Sequence, residues 1–318
     1  VLGALIASAA QAQNGPADPA VNETFKFAKP AGQPDAVETS PNGQITVQVS
    51  TDNDGRAVYM IARNGKTIVA PSRLGMMFTD APKIERGMKI EAVSHAKSDT
   101  SWTQPWGEWR TIRDNHREMR VRLMESSALH RRYDVVFRVQ DDGVGFRYEF
   151  PEQQALAKAN IAEELTEFNI AQNGTAWWKP AFLWNREEYL YNRTPISAVG
   201  TAATPITMKL DDGTHIAIHE AALVDYASMA LMKTEGNSFK AVLTPGSGAP
   251  KVVKTGAWTT PWRTFLIAPD AGGLYMSHLM LNLNEPNKLG DVSWVKPGKF
   301  VGVWWKMIKG EWSWARGP

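Results

Sequence analysis

The sequence has 318 residues, with 35 Lys and Arg against 33 Asp and Glu, for a formal net charge of +2. This length suffices for one large domain or two ordinary ones with a sizeable core. The balanced charge disfavours nucleic acid, an anionic membrane or a polyanion as partner. Cysteine is absent, which excludes disulfides, cysteine nucleophiles and thiolate zinc sites. The 13 tryptophans are unusual; indole faces bury well and also stack on sugar rings, so a carbohydrate ligand is compatible with this composition.

The first residues have the features of an export signal. Residues 1–9 are small or apolar and uncharged, and Ala10-Gln11-Ala12 has the small-x-small pattern of a cleavage site before Gln13. We therefore interpret residues 1–12 as the remnant of a signal peptide whose front end is clipped, and we expect a secreted protein. A short buried helix is the alternative, which the chain-breaking Asn14-Gly15-Pro16 disfavours. No other stretch is long and apolar enough to span a bilayer.

After this segment the chain reads as a linker and then as a series of strands. Residues 13–38 are rich in Pro, Ala, Gly and Asn without a sustained period, which is typical of a linker. Apolar residues then alternate with polar ones over 45–49 and again over 119–123. A period of two residues predicts half-buried strands.

Two Asp-Asp-Gly turns predict β-hairpins. Asp141-Asp142-Gly143 lies between β-rich segments at 135–139 and 145–150, and Asp211-Asp212-Gly213 lies between 206–210 and 215–218. Many short strands separated by turns, without long helical segments, predict an all-β fold in which residues 39–297 form a large antiparallel sandwich.

The pattern changes at the C-terminal end. Phe300-Val301-Gly302-Val303-Trp304-Trp305 is a continuous apolar run, as in a strand of a parallel sheet or barrel that is buried on both faces. Either the two tryptophans pack on the sandwich, or a second domain has been cut off after Pro318. We favour the second interpretation, because a parallel strand has no partners within so short a tail.

Motifs for nucleotide binding, zincins and α/β-hydrolases are absent from the sequence. Carboxylates beside aromatic residues are the positive signal. Glu187-Glu188-Tyr189-Leu190-Tyr191 follows several tryptophans and suits a hard cation or a polyol, although a solvated charge pair on a strand is the commoner arrangement. His219-Glu220 ends a predicted strand, and such a pair would serve proton transfer or metal ligation. The alternative, which is the commoner case, is a histidine whose hydrogen bonds are satisfied in a loop.

Two further patterns have structural alternatives. Trp102, Trp106 and Trp109 surround a Pro and a Gly, which predicts a stacking platform or, more commonly, a buried corner. The two Asp-Asp-Gly segments loosely resemble calcium loops but lack spaced ligands, so we interpret both as turns.

Six segments in consistent order make the sequence resemble glycoside hydrolase family 97, a family of bacterial α-glucosidases and α-galactosidases. They are Trp106-Gly107-Glu108, Asp141-Asp142-Gly143-Val144-Gly145-Phe146-Arg147-Tyr148, His219-Glu220-Ala221-Ala222-Leu223-Val224-Asp225-Tyr226, Thr260-Pro261-Trp262-Arg263, Leu281-Asn282-Leu283-Asn284-Glu285-Pro286 and Trp294-Val295-Lys296-Pro297-Gly298-Lys299. The resemblance implies an N-terminal β-super-sandwich, a catalytic (β/α)8 barrel and a small C-terminal β-domain. Residues 298–318 would then be the truncated start of the barrel.

The resemblance also implies a site and a cofactor. A calcium ion near the sugar would take one carboxylate ligand from this domain, and the matching residue is Glu188, with Glu187 as the alternative. Trp304 matches a position that lines the sugar site. The implied partners are an oligosaccharide substrate and the missing barrel, and the implied location is the periplasm.

The catalytic carboxylates of such an enzyme would lie beyond Pro318, so we assign no catalytic residue here and expect the chain alone to be inactive. The expected whole protein is an exo-acting, calcium-dependent α-glycosidase, and we favour an α-glucosidase over an α-galactosidase. A free-standing carbohydrate-binding or structural β-sandwich is the alternative.

Overall fold

The computed structural model describes residues 35–183, 189–246, 248–299 and 309–310. Its secondary structure is almost entirely β. In chain order the strands are β1 (Ala36–Thr39), β2 (Ile45–Thr51), β3 (Ala57–Arg63), β4 (Lys66–Arg73), β5 (Met76–Phe78), β6 (Met88–Thr103), β7 (Thr111–Glu125), β8 (Arg132–Gln140), β9 (Gly143–Phe150), β10 (Lys158–Glu164), β11 (Glu167–Asn169), β12 (Gly174–Trp178), β13 (Asn192–Pro195), β14 (Ala202–Ala203), β15 (Ile206–Leu210), β16 (His215–Ala221), β17 (Met229–Lys233), β18 (Ser238–Leu243), β19 (Val252–Thr255), β20 (Trp258–Thr259) and β21 (Trp262–Ala268). Two short helices follow, α1 (Ala271–Tyr275) and α2 (Leu279–Asn282). Neither of these helices, nor any other part of the described chain, offers a helix long and apolar enough to cross a membrane.

The strands form one large sheet and three small ones. The ten-stranded sheet has the order β13-β12-β15-β16-β21-β9-β8-β7-β6, with β20 paired to β9. The small sheets have the orders β1-β2-β3-β4, β19-β10-β5 and β11-β18-β17-β14. Every strand pair among the described residues is antiparallel, so the predicted antiparallel all-β class is confirmed.

Both predicted hairpins are present. β8 pairs with β9 across Asp141-Asp142, and β15 pairs with β16 across the second turn. Gly213 has φ +88°, a backbone conformation that glycine adopts without strain. At Gly143 the requirement is space, because a Cβ atom would clash with the Phe265 carbonyl oxygen.

Aromatic contacts between sheets fix the sandwich. Tyr59, on the β1–β4 sheet, lies 4.8 Å from Phe146 and 6.4 Å from Phe265 of the large sheet, measured between ring centroids. Phe168 of a third sheet lies 5.6 Å from Phe265. All four side chains are completely buried. The inward residues of each strand therefore supply one shared core, as the alternating pattern requires.

The helical segment covers the other face of the large sheet. Leu279 and Leu283 pack there with Val136, Ala221 and Trp262 in a second apolar cluster. Beyond α2, the Asn284 side chain accepts a hydrogen bond from the Ala222 amide at 2.9 Å. The chain thus runs back along the sheet and leaves it beside the end of β16.

The predicted domain boundaries can be compared with the structure only in part. The first described strand begins at Ala36, inside the predicted linker 13–38. Of the predicted barrel start, the structure describes residues 298, 299, 309 and 310. The proposed strand 300–305 lies outside the described residues and stays a prediction, as does the signal peptide at 1–12.

Candidate functional site

The two site residues implied by family resemblance, Glu188 and Trp304, lie outside the described residues. Glu187, the alternative metal ligand, also lies outside them. The structure does describe the chain on both sides of the Glu188 segment. Leu183 is exposed before it, and Leu190 and Tyr191 are exposed after it.

A cavity of about 280 Å³ lies where this segment joins the sandwich. Phe182, Leu183 and Tyr189 line it from the segment, and His219 and Glu220 line it from the end of β16. The hypothesised His-Glu pair and the two ends of the Glu188 segment are therefore brought together. The sequence separates these parts by about thirty residues, and the pairing of β12 with β15, and of β15 with β16, closes that gap.

Glu220 belongs to a buried ion-pair triad. Its Oε2 accepts a hydrogen bond from Arg263 Nη1 at 2.5 Å, and both of its oxygens accept from the Met229 amide, at 3.0 and 3.2 Å. Arg263 also donates to Glu164, from Nη2 at 2.5 Å and from Nε at 3.1 Å. Arg263 and Glu164 are almost inaccessible to solvent, so this triad joins the large sheet to β10 through the core.

Burial and charge act in opposite directions within the triad. Burial raises the pKa of Glu220, and the Arg263 guanidinium opposes that increase. Burial alone would lower the pKa of Arg263, but the carboxylates of Glu164 and Glu220 outweigh it and raise that pKa above its ordinary value. Arg263 therefore keeps its charge, and the carboxylates balance it.

The triad continues into a hydrogen-bonded chain. Thr166 donates to Glu164 Oε2 at 3.2 Å, and its Oγ1 lies 2.8 Å from the Tyr148 hydroxyl, which accepts from the Gly75 amide at 3.1 Å. Because Glu164 and Glu220 are engaged in this way, neither carboxyl is free to act as a general acid or base. The triad therefore has a structural role and not a catalytic one.

His219 is not the satisfied loop histidine that we considered the commoner case. It lies within β16, and its buried Nδ1 has no hydrogen-bond partner among the described residues. Burial lowers its pKa below the ordinary value of 6.5, which keeps the imidazole neutral at pH 7. The Glu220 carboxylate is engaged by Arg263 and by the Met229 amide, so His219 and Glu220 do not form a proton-transfer pair. A neutral imidazole facing the cavity suits binding of water or a hydroxyl.

The tryptophans near the Glu188 segment have structural contacts. Trp178 packs against the core and donates from Nε1 to Thr194 Oγ1 at 3.0 Å. The Arg193 guanidinium lies 5.6 Å from the centre of the Trp177 ring. These contacts hold β12 and β13 together at the base of the segment.

The buried-corner prediction for Trp102, Trp106 and Trp109 is wrong. The three residues lie at the end of the long β6–β7 hairpin, and Trp102 and Trp106 are 37% and 44% exposed. The reason is that β6 and β7 continue past the end of β8, so no neighbouring strand pairs with their tip.

The two Asp-Asp-Gly segments are turns, as predicted. Asp142 Oδ2 accepts hydrogen bonds from Ser277 Oγ at 2.7 Å and the His278 amide at 2.9 Å. Asp212 Oδ1 accepts from the Thr214 amide at 2.9 Å. Within the described ranges, no three His, Asp or Glu side chains come close enough together to hold a metal ion.

Comparison with known proteins gives the family. The family model described as "Glycosyl-hydrolase 97 N-terminal" matches residues 39–286. A Glycoside Hydrolase Family 97 enzyme from Pseudoalteromonas sp. strain K8, solved in complex with panose and also with acarbose, is 46% identical with a TM-score of 0.82, covering 86% of this chain and 41% of that one.

Curated relatives agree at lower identity. A "Probable retaining alpha-galactosidase" of Streptomyces bingchenggensis is 25% identical, over 85% of this chain and 40% of the relative. A "Retaining alpha-galactosidase" of Bacteroides thetaiotaomicron is 21% identical, over 84% of this chain and 43% of the relative. The chain thus spans about two fifths of the length of these relatives. The family match covers most of the described sandwich, and the chain belongs to glycoside hydrolase family 97 as its N-terminal domain.

Proposed function

We propose that this chain is the N-terminal part of an exo-acting α-glycosidase, exported to the periplasm, that hydrolyses oligosaccharides. The observation that carries the proposal is the family match over residues 39–286, together with a solved relative that is 46% identical and was captured with oligosaccharides. The activity belongs to the whole protein, and this domain forms one wall of its sugar site.

Within the family, an α-glucosidase is the better proposal. The relative in complex with panose shares 46% of residues, whereas the relatives named as α-galactosidases share 25% and 21%. Panose is built of α-linked glucose units. The direct test is the full-length gene product incubated with panose: release of free glucose supports the proposal, and intact panose beside a hydrolysed α-galactoside contradicts it.

The domain alone should be inactive. Glycoside hydrolysis needs a carboxylic acid and a second carboxylate flanking the scissile bond, and the buried carboxylates of Glu164 and Glu220 are both held by Arg263. The purified 318-residue chain should leave a nitrophenyl α-glucoside intact. Appreciable turnover that persists through repeated purification would contradict the expectation that the domain alone is inactive.

We further propose that Glu188 supplies one ligand to a calcium ion and that Trp304 packs on the sugar. The described residues form no cation site by themselves, so the other ligands would come from elsewhere in the whole protein. Carboxylate oxygens are the ligands that calcium prefers, and the bound ion would supply positive charge near the sugar. Leu183 and Tyr189, the described residues on either side of Glu188, line the His219 cavity, which supports a role for this end of the sandwich in the site.

The ligand proposal has its own test in the full-length protein. Glu188→Gln removes the negative charge with little change in shape, so calcium affinity measured by titration calorimetry should fall at least about tenfold. Glu187→Gln is the matched control and should leave the affinity close to wild type. Equal affinities for Glu188→Gln and wild type would remove Glu188 from the metal site.

A further inference from the structure

The end of the β6–β7 hairpin forms an aromatic platform, defined here as Trp102, Trp106, Trp109 and Tyr275. Tyr275 comes from α1, which packs against β21 and β16, and its hydroxyl reaches Glu108 in the hairpin loop. Trp102 and Trp106 are 37% and 44% exposed, and Tyr275 is also exposed. The platform lies at the end of the large sheet where β8 turns into β9, opposite to the end of β16 that borders the His219 cavity.

Polar contacts hold two of these rings, those of Trp102 and Tyr275, in place. Trp102 Nε1 donates to Asn282 Oδ1 at 3.0 Å, and the Asn282 amide donates to the Arg113 carbonyl at 2.9 Å. The Tyr275 hydroxyl lies 3.1 and 3.0 Å from the two oxygens of Glu108. Rings that are fixed before a ligand arrives lose little conformational entropy on binding.

A third contact ties the hairpin to the helical segment. The Trp109 ring lies edge-on to the imidazole of His278, with ring centroids 5.3 Å apart. The end of the hairpin is therefore held at three points by residues 275–282. Such a rigid apolar surface, left in solvent, indicates a binding surface more than a packing defect.

The polar groups around the platform suit hydroxyl groups. Glu108 accepts from Tyr275 and, as a carboxylate, has further lone pairs for other donors. Gln104 Oε1 and His278 Nε2 are buried polar atoms without a hydrogen-bond partner among the described residues. Each has unused capacity for a hydrogen bond with a hydroxyl group.

The same groups disfavour other ligands. The Glu108 carboxylate repels an anion, and the nearby Arg113 guanidinium is already bound by Asp99 through two hydrogen bonds of 2.8 Å. Flat apolar faces bordered by hydrogen-bond acceptors match a pyranose ring, which presents C–H groups on its faces and hydroxyls at its edge.

We propose that the aromatic platform is an oligosaccharide-binding surface that holds a chain of α-linked glucose units, with Trp102 and Trp106 stacking on sugar rings and Glu108 accepting a hydroxyl. The choice of glucose rests on the proposed function, whereas the platform itself rests on the geometry above. Its role would be to retain a long substrate on the protein by a second contact.

The experiment measures binding of maltoheptaose to the 318-residue chain by isothermal titration calorimetry, without any turnover. We expect a Kd of about 1 mM or tighter for the wild type and at least about fivefold weaker binding for Trp106→Ala and for Trp102→Ala. Trp294→Ala is the matched control, because Trp294 is 73% exposed but lies after α2, outside the platform. It should bind like wild type.

Glu108→Gln keeps the shape of the carboxylate and provides a second test if a tryptophan variant folds poorly by circular dichroism. It should also weaken binding. Three results overturn the proposal: no heat of binding at 10 times the expected Kd, equal affinity in the Trp106→Ala and wild-type chains, or binding by the 318-residue chain that disappears in the full-length protein. Concentration-dependent dimerisation that is lost in Trp106→Ala would assign the platform to a second copy of the chain instead. Because no hydrolysis is measured, failure here leaves the proposed enzymatic function untouched, and an inactive full-length enzyme would leave the binding result standing.

Discussion

Replacing Arg263 by Met should destabilise the domain severely. The guanidinium is completely buried and balances the carboxylates of Glu164 and Glu220, each at 2.5 Å. Methionine fills a similar volume but leaves two acidic groups in the core without their cation. Breaking a buried ion pair by removing one partner typically costs about 3–5 kcal/mol in the free energy of unfolding, and we expect a loss in this range at pH 7.5.

The pH dependence separates charge from packing. Burial raises the pKa of Glu220, and Arg263 opposes that increase, so loss of Arg263 raises the folded-state pKa of Glu220 further above its unfolded value. A carboxyl group whose pKa is higher in the folded than in the unfolded protein destabilises the fold when the pH is above the folded-state pKa. This destabilisation disappears when the pH falls below the pKa of the unfolded state, ordinarily 4.5. The deficit of the variant should therefore shrink as the pH falls from 7.5 towards 4.5.

The assay is urea unfolding followed by tryptophan fluorescence at several pH values. Arg113→Met is the matched control, because Arg113 makes a two-bond pair with Asp99 but both side chains are largely exposed; no resolvable change in unfolding is expected there. A loss below about 1 kcal/mol for Arg263→Met, or a loss that is independent of pH, would refute the reasoning, since either result means that the buried charges do not set the stability.

Two further changes test the turns. Burial raises the pKa of Asp212, but hydrogen bonds, first of all that from the Thr214 amide, outweigh it and lower the pKa to about 2. Asp212→Asn should therefore cost about 1–2 kcal/mol at pH 7, and urea midpoints should show this difference declining once the pH falls below about 4; a constant difference would contradict the shift. Gly143→Ala should cost about 3 kcal/mol by thermal unfolding, because the new Cβ meets the Phe265 carbonyl. Gly43→Ala, at φ +73° in open space, should cost only about 1 kcal/mol, and equal effects at the two glycines would rule out the clash.

The fold class could be predicted because its signals are local. Alternation along β2 and β7 and the Asp-Asp-Gly turns each involve fewer than ten neighbouring residues, and the structure has strands and hairpins at those positions. Short turns of this kind determine antiparallel pairing directly. The antiparallel sandwich followed from a series of such units.

The triad could not be predicted, because its members are distant in the sequence. Glu164 and Arg263 are 99 residues apart, and no periodic pattern relates them. Their meeting depends on how β10 packs on the large sheet. Likewise, the exposure of Trp102 and Trp106 depends on how far β6 and β7 extend beyond β8, which is a property of the assembled sheet.

Substrate preference of the full-length protein tests the central functional proposal most directly. The measurement compares kcat/KM for nitrophenyl α-glucoside and nitrophenyl α-galactoside at saturating calcium. The α-glucosidase proposal predicts that the glucoside is preferred by at least about tenfold, corresponding to about 1.4 kcal/mol of transition-state discrimination. Preference for the galactoside would contradict it and assign this chain to the activity named for its more distant relatives.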